Sequence, residues 1–334
     1  MKVTIKDIAR EADVSITTVS LIINQKGQRF STDTHAKVNE AIVKLNYQPH
    51  YFAKNLNKTK SKTIGFIVSE ITNPFFAELA KVIEDILVEQ GYLVLLCNSS
   101  SDLAREERYV DEMLYRFVDG VFLAGTVSDN KHLLSKLASR RVPYLLLDRP
   151  SDYSDTNGVF IDDFAGGMTA TEHLLQKGHT AIGCITTKPQ FSNIYQRSQG
   201  YLAAMKAIKQ APLLEEAGFV NEQSGYLAAQ ALINKGVSAI FACNDLMAFG
   251  VYKAAEEAGL SVPADLSVIG FDDINLAHFM SPPLTTITQP TQRIGAIAAR
   301  HMLALIETET VEIATTILPI SLKERESVKT KEKR

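Results

Sequence analysis

The 334 residues are 46% apolar and 22% charged with a net charge of −3, which fits a globular chain of two or three domains, and no apolar run approaches the ~20 residues of a membrane span. The N-terminus lacks the long apolar core of a secretory signal. Cys97, Cys184 and Cys243 each lie inside an apolar run, far apart in sequence, so the chain reads as cytoplasmic, with buried reduced thiols instead of a disulfide frame or a metal site. Residues 1–62 hold eleven Lys/Arg against five Asp/Glu, a net of +6, which leaves −9 for the other 272 residues. A basic head on an acidic body directs the head at a polyanion; a small basic domain without that role is the plainer alternative.

The stretch TIKDIAREADVSITTVSLIIN (4–24) reads as two short helices with a tight break. Thr4 followed by Asp7 has the spacing of a capping box, and Ile8, Ala9 and Ala12 share a face. Asp13-Val14-Ser15 interrupts the pattern, and Ser15 caps a second helix whose Val19, Ile22 and Ile23 point inward while Ile16, Thr17 and Leu21 face out. Two helices this short need a third to bury their apolar face. Val38, Ala41, Ile42 and Leu45 supply it behind Ser31 or Thr32. Three helices with a hydroxyl-rich second one predict a helix-turn-helix DNA reader over residues 1–49; a helical cap on an enzyme is the alternative.

Residues 50–62, HYFAKNLNKTKSK, are too short and polar to fold alone. They read either as a plain linker or as a segment that becomes helical on DNA, with Leu56 wedged between base steps and the lysines on phosphates.

From Thr63 strands and helices alternate. TIGFIV (63–68), YLVLLC (92–97), GVFLA (120–124), YLLLD (144–148), AIGCIT (181–186), AIFAC (239–243) and SVIGFD (267–272) read as buried parallel strands. Helical stretches of ~12–18 residues lie between most of them, so the fold class is α/β. Seven units suit two similar lobes, about 63–160 and 162–290, closed by a helix at 290–306 and the run 313–322, with the whole core spanning 63–326. The tail 327–334 is charged and expected to be disordered. Ligands in open α/β sheets sit beyond the C-terminal strand ends, here the cleft between the lobes.

Those ends carry one chemistry: Asn73 with Phe75 and Phe76, Asp148-Arg149, Arg197, Asn244-Asp245, Asp272-Asp273 and Gln289. Carboxylates, amides and guanidinium groups exchange paired hydrogen bonds with hydroxyls, and aromatic rings stack on the C–H face of a sugar, so the set suits a small neutral polyol. Each residue also has a local reading: Asp148-Arg149 as an ion pair, Phe75 and Phe76 as core, Asn244 as a helix cap. Catalysis lacks a signature. There is no Gly-x-Ser-x-Gly elbow, Walker loop or Gly-x-Gly-x-x-Gly, His173 and His179 lack ligand-spaced partners, and Asp162-Asp163 or Asp272-Asp273 as metal sites are no more favoured than as binding carboxylates.

Over essentially its full length the chain resembles the LacI/GalR family of bacterial transcription regulators. The resemblance rests on IKDIAREADVS with TTVS (5–20), NYQPH…AKNL (46–56), TNPFF, VDG, LDR, CNDLMAFG, VIGFDD and PPLTTITQP. It implies a homodimer whose two heads read the halves of a near-palindromic operator, with paired hinge helices and Leu56 prying open a central step. The base-reading positions fall on Ile16, Thr17 and Leu21. The further DNA contacts fall on Thr4, Ser15, Thr18, Ser20, Asn24, Tyr47, Ala53, Lys54 and Leu56. The chain departs from the family at Leu21, where Arg or His is usual, at Ile16, often polar, and at Lys54, often Arg; the turn QKGQRFS is about one residue longer than usual. Leu and Ile meet apolar edges such as the thymine methyl and do not bond guanine.

The body is similar to ribose-type periplasmic binding proteins and ribose repressors. That similarity implies effector contacts at Asn73, Phe75, Phe76, Asp148, Arg149, Arg197, Phe219, Asn244, Asp272 and Gln289, and a repressor released from its operator by ribose. Lobe closure would separate the hinge helices at a coupling of ~1–3 kcal/mol. Sucrose- or fructose-type effectors, a corepressor as in purine-type relatives, and a phosphorylated carrier protein as a further partner are the alternatives within the family. A sugar-binding module or enzyme with a basic appendage is the alternative from another class. No cofactor is implied.

Overall fold

The computed structural model describes residues 3–24, 26–47, 60–125, 131–148, 157–188, 192–308 and 315–331. They divide into two compact units, 1–61 and 62–334.

In the first unit α1 (Ile5–Glu11), α2 (Ile16–Ile23) and α3 (Thr32–Lys44) enclose Ile8, Val19 and Val38, all fully buried, with Ala9, Ala12, Ile22 and Ala41 around them. The caps are those expected from sequence. The Thr4 amide and hydroxyl both donate to the Asp7 carboxylate, at 2.9 and 2.6 Å. Ser15 Oγ accepts from the Thr18 amide at 3.0 Å, and Ser31 Oγ from that of Thr34 at 3.2 Å. Each cap satisfies amides that have no partner within the first turn. Asp13 takes a left-handed φ of 52°, which makes the break between α1 and α2.

The second unit holds two sheets. The first contains β1 (Thr63–Val68), β2 (Leu93–Asn98), β3 (Gly120–Ala124), β4 (Tyr144–Leu147), β5 (Gly158–Ile161) and β11 (Thr316–Leu318) in the order β11-β5-β4-β3-β1-β2, all parallel. The second contains β6 (Ile182–Thr187), β7 (Leu213–Ala217), β8 (Ala239–Ala242), β9 (Ser267–Asp272), β10 (Thr285–Thr288) and β12 (Ser321–Lys323) in the order β12-β10-β9-β8-β6-β7, parallel except for β12. The connecting helices are α4 (Pro74–Glu89), α5 (Leu103–Tyr115), α6 (Lys131–Ser139), α7 (Asp163–Gln176), α8 (Ser192–Ala207), α9 (Glu222–Asn234), α10 (Asp245–Glu257), α11 (Leu276–Phe279) and α12 (Thr291–Glu307).

Four differences from the sequence reading have physical causes. The 92–97 run is an edge strand, β2, with Leu93 62% and Leu96 42% exposed and Cys97 half-buried, since one side of its ladder has no neighbour among the described residues. Cys184 and Cys243 are buried as expected, yet their sulfurs lie only 3.6 Å apart because β6 and β8 are adjacent. The closing segment divides: α12 packs on α4 and the first sheet, β11 extends that sheet, and β12 extends the other. Residues 327–331 are not loose. Ser327 Oγ donates to the Val268 carbonyl, Val328 is buried, His179 Nε2 bonds the Lys329 carbonyl at 3.0 Å, and the Lys331 amide donates to the Lys177 carbonyl. Backbone pairing to buried strands outweighs the tail's charge.

Candidate effector site and DNA-reading head

A cleft of about 270 Å³ lies at the C-terminal ends of both sheets. Several of the strand ends around it turn through left-handed backbone: Ser100 and Ser101 after β2 (φ 52° and 56°), Gly125 after β3 (60°), Asp148 after β4 (48°), and Asp272 and Asp273 at the end of β9 (120° and 59°). For the non-glycine residues such conformations cost energy, and they concentrate where a site must aim side chains.

Asn73, Phe75, Phe76, Asp148, Arg197, Phe219, Asn244, Asp272 and Gln289 all line this cleft. Arg149 lies outside the described residues, as do Ala53, Lys54 and Leu56 of the hinge. Arg197, at 2% exposure, is the hub. Its Nε donates to Asp163 Oδ1 at 2.8 Å, and its Nη1 donates to the Cys243 carbonyl at 2.8 Å and to Asp272 Oδ1 at 3.1 Å. Its guanidinium stacks on Phe271, 3.7 Å from the ring centroid. Burial acts to lower the Arg197 pKa, but Asp163, Asp272 and Asp148 outweigh it and raise the value, so the cation is firmly held. Asp272 is fixed by three donors: Arg197, Gln289 Nε2 at 2.7 Å, and Asn244 Nδ2.

Asp148 crosses the cleft from the first sheet. Its Oδ2 accepts from Asn193 Nδ2 at 3.0 Å, while its buried Oδ1 accepts no hydrogen bond among the described residues and stands 3.9 Å from Arg197 Nη2. Burial first, and the carboxylates of Asp163 and Asp272 after it, push its pKa up to about 8 against the pull of Arg197. A buried acceptor without a donor, on a residue that lines the cleft, calls for an explanation, and a ligand hydroxyl would supply one.

Asn244 combines the two readings given it, helix cap and cleft residue, and Asn73 proves to be a cap as well. Asn73 Oδ1 caps α4 by accepting from the Phe75 amide at 3.0 Å, and Asn244 Oδ1 caps α10 by accepting from Leu246 at 2.9 Å. The carbonyl oxygens serve the helices, while Asn244 Nδ2 serves Asp272 and both side chains line the cleft. Phe75 and Phe76 are core residues in a T-shaped pair that also form cavity wall. Phe219 stands at the mouth, 69% exposed, after β7. Sequence reasoning missed Asn193 altogether and took Asp163 only as half of an acidic pair. Both sit in helix first turns, where nothing local marks them; Asp162 beside it is an ordinary cap, accepting from Ala165.

On the head, Ile16 (45% exposed) and Thr17 stand open on α2, with Thr18, Ser20 and Leu21 half-buried beside them. Ser15 Oγ and Thr18 Oγ1 bond each other at 2.8 Å, and Asn24 Nδ2 donates back to the Ser20 carbonyl at 2.8 Å. Thr4 is engaged with Asp7, and Tyr47 packs on the head core.

A capped helix-turn-helix head joined to a two-lobed body with a cleft at its strand ends defines a ligand-responsive DNA-binding regulator. Residues 4–50 match the family of bacterial regulatory proteins, lacI family, and residues 171–328 match the periplasmic binding protein-like domain. The chain is 38% identical to the ribose operon repressor of Escherichia coli K12, over 97% of this chain and 99% of that one. It resembles a ribose-bound LacI family regulator from Enterococcus faecium (34% identity, TM-score 0.73, 81% of this chain, 100% of that one). It also resembles the lac repressor dimer bound to operator and the anti-inducer ONPF (29% identity, TM-score 0.85, 98% and 100%). The chain belongs to the LacI family and is a DNA-binding transcriptional regulator with a small-molecule effector.

Proposed function

We propose that this regulator is a cytoplasmic, homodimeric repressor of sugar-utilisation genes, released from its operator when ribose enters the cleft, and that it acts without catalysis. The observation that carries the choice of effector is the Asp148–Arg197–Asp272 constellation with Asp148 Oδ1 left without a donor. Arg197 is already committed to the buried Asp163 and Asp272, and Glu70 and Glu222 lie in the lining, so the cleft disfavours a phosphate ester and favours a neutral polyol. The cavity lies below the ~300–1,000 Å³ typical of ligand pockets, which supports a monosaccharide. Ribose is the ligand of the Enterococcus faecium regulator, and the Escherichia coli relative is a ribose operon repressor.

In this reading Asn73, Asn244, Asp148, Arg197, Asp272 and Gln289 bond the hydroxyls, Phe75 and Phe76 stack on the ring, Phe219 covers the mouth, and Arg149 adds a further donor. Ile16, Thr17 and Leu21 face base edges. Thr4, Ser15, Thr18, Ser20, Asn24 and Tyr47 position the head, and Ala53, Lys54 and Leu56 act in the hinge. Leu93 and Leu96, exposed on opposite faces of the edge strand β2, fit a sheet edge covered by a second copy.

The test is calorimetric titration of the full-length protein with ribose, ribose 5-phosphate, fructose and sucrose, followed by fluorescence anisotropy on a duplex recovered by in-vitro selection. Ribose alone should bind tightly and lower duplex affinity. A preference for ribose 5-phosphate, or tighter DNA binding with sugar present, would overturn the reading.

A further inference from the structure

We propose that Arg325 is a positioning residue of the effector site, one that holds the strained turn from which Asp272 reaches the cleft; the effector it serves rests on the ribose reading above. The three donors to Asp272 all bond its carboxylate. None of those bonds secures the backbone beneath it, where Asp272 and Asp273 take successive φ values of 120° and 59° without being glycine. Conformations of this kind persist when their surroundings over-determine them.

Backbone hydrogen bonds supply part of the restraint, with the Gln289 amide donating to the Asp272 carbonyl at 3.3 Å and the Ile274 amide to Asp245 Oδ2 at 2.9 Å; the rest comes from the C-terminal segment. Asp273 does not line the cavity. Its Oδ1 pairs with Arg325 Nη2, and its Oδ2 accepts from Thr288 Oγ1 at 2.8 Å. Arg325 Nη1 donates to the Leu284 carbonyl at 2.7 Å, and the Arg325 amide donates to Thr285 Oγ1 at 2.9 Å. One side chain therefore ties the end of β9 to the start of β10. The pair is largely shielded, with side chains 13% and 16% exposed, so it is neither weakened nor replaced by water as a surface pair would be. Removing either partner strands a charge and releases the turn, and Asp272 leaves the position in which Arg197, Asn244 and Gln289 hold it.

The test uses four full-length variants: Arg325→Ala, Arg325→Lys, Asp273→Asn and His179→Ala. The last removes one of the segment's other anchors, at the Lys329 carbonyl, away from the turn. Calorimetry with ribose should give at least tenfold weaker binding for Arg325→Ala and Asp273→Asn, an intermediate loss for Arg325→Lys, and wild-type affinity for His179→Ala. Hydrogen–deuterium exchange of effector-free protein should show faster exchange over residues 270–276 in Arg325→Ala and not in His179→Ala. Wild-type affinity in Arg325→Ala, or equal losses in Arg325→Ala and His179→Ala, would show a mere structural anchor and overturn the proposal. If wild-type protein binds no ribose, the ribose reading falls and the exchange result alone decides on Arg325: unchanged exchange at 270–276 overturns it.

Discussion

Asp148 carries a charge state that depends on what occupies the cleft. With no hydrogen bond to Oδ1, its carboxyl is pushed up to about 8 by burial, so at pH 7 it is mostly protonated. A ligand hydroxyl donating to Oδ1 favours the ionised form and lowers that value in the complex. Binding at pH 7 therefore releases a proton, and effector affinity should rise with pH from 6 to about 8, then level off once both states are ionised. Calorimetry in buffers of different ionisation enthalpy reads the proton directly; a flat profile across that range contradicts the account, and Asp148→Asn should abolish the slope along with most of the affinity. Arg197 makes a second prediction at the same scale. Because Asp163, Asp272 and Asp148 all face it, Arg197→Ala leaves buried carboxylates unbalanced, at a cost of about 3–5 kcal/mol. Thermal denaturation should fall together with sugar binding, whereas a purely ligand-contacting arginine would leave stability unchanged. Arg197 sits inside α8, beyond the end of β6, but Asp148, Asn244 and Asp272 were legible in sequence because each ends or directly follows an apolar run. Asp163 and Asn193 were not, since their roles depend on which helix start folds over which strand end.

Helix packing sets how closely Arg197 can approach its partners. Gly167 on α7 and Gly200 on α8 face each other's backbones, and a Cβ on Gly167 would collide with the Arg197 carbonyl oxygen. Gly167→Ala must push α8 away, so it should destabilise the body by about 1–3 kcal/mol and weaken effector binding without altering the separately folded head. Denaturant unfolding and sugar titration of the same sample check this, and unchanged effector affinity would show that α8 tolerates the shift. Elements with the strongest periodicity were the legible ones. β1, β3 and β9 match their expected bounds because both faces are buried and the run is continuously apolar. β7, LLEEA, escaped notice because it is an edge strand whose glutamates break that pattern, and β5 has only four residues. The C-terminal segment read as a charged tail because its order comes from pairing with distant strands, which local composition does not encode.

For the whole molecule the separation of charge, +6 on residues 1–62 against −9 on the rest, divides the work between affinity and response. Phosphate contacts release counterions, so log affinity falls with log salt at about 0.9 per contact, and a few such contacts from each of two heads dominate binding at low salt. An apolar wedge releases no counterion. Leu56→Ala should therefore lower affinity for the selected duplex by a factor that is the same at every salt concentration, leaving the slope untouched. Lys54→Gln should reduce the slope by about 0.9 for each phosphate contact it removes, once per head. Ribose should act as Leu56→Ala does, lowering specific affinity while leaving the binding to random duplex that the basic head supplies. Anisotropy titrations on selected and random duplexes across a salt series separate these cases. If Leu56→Ala changes the slope, or leaves affinity for the selected duplex unaltered, residues 50–62 are a plain tether and the response must reach the heads by another route.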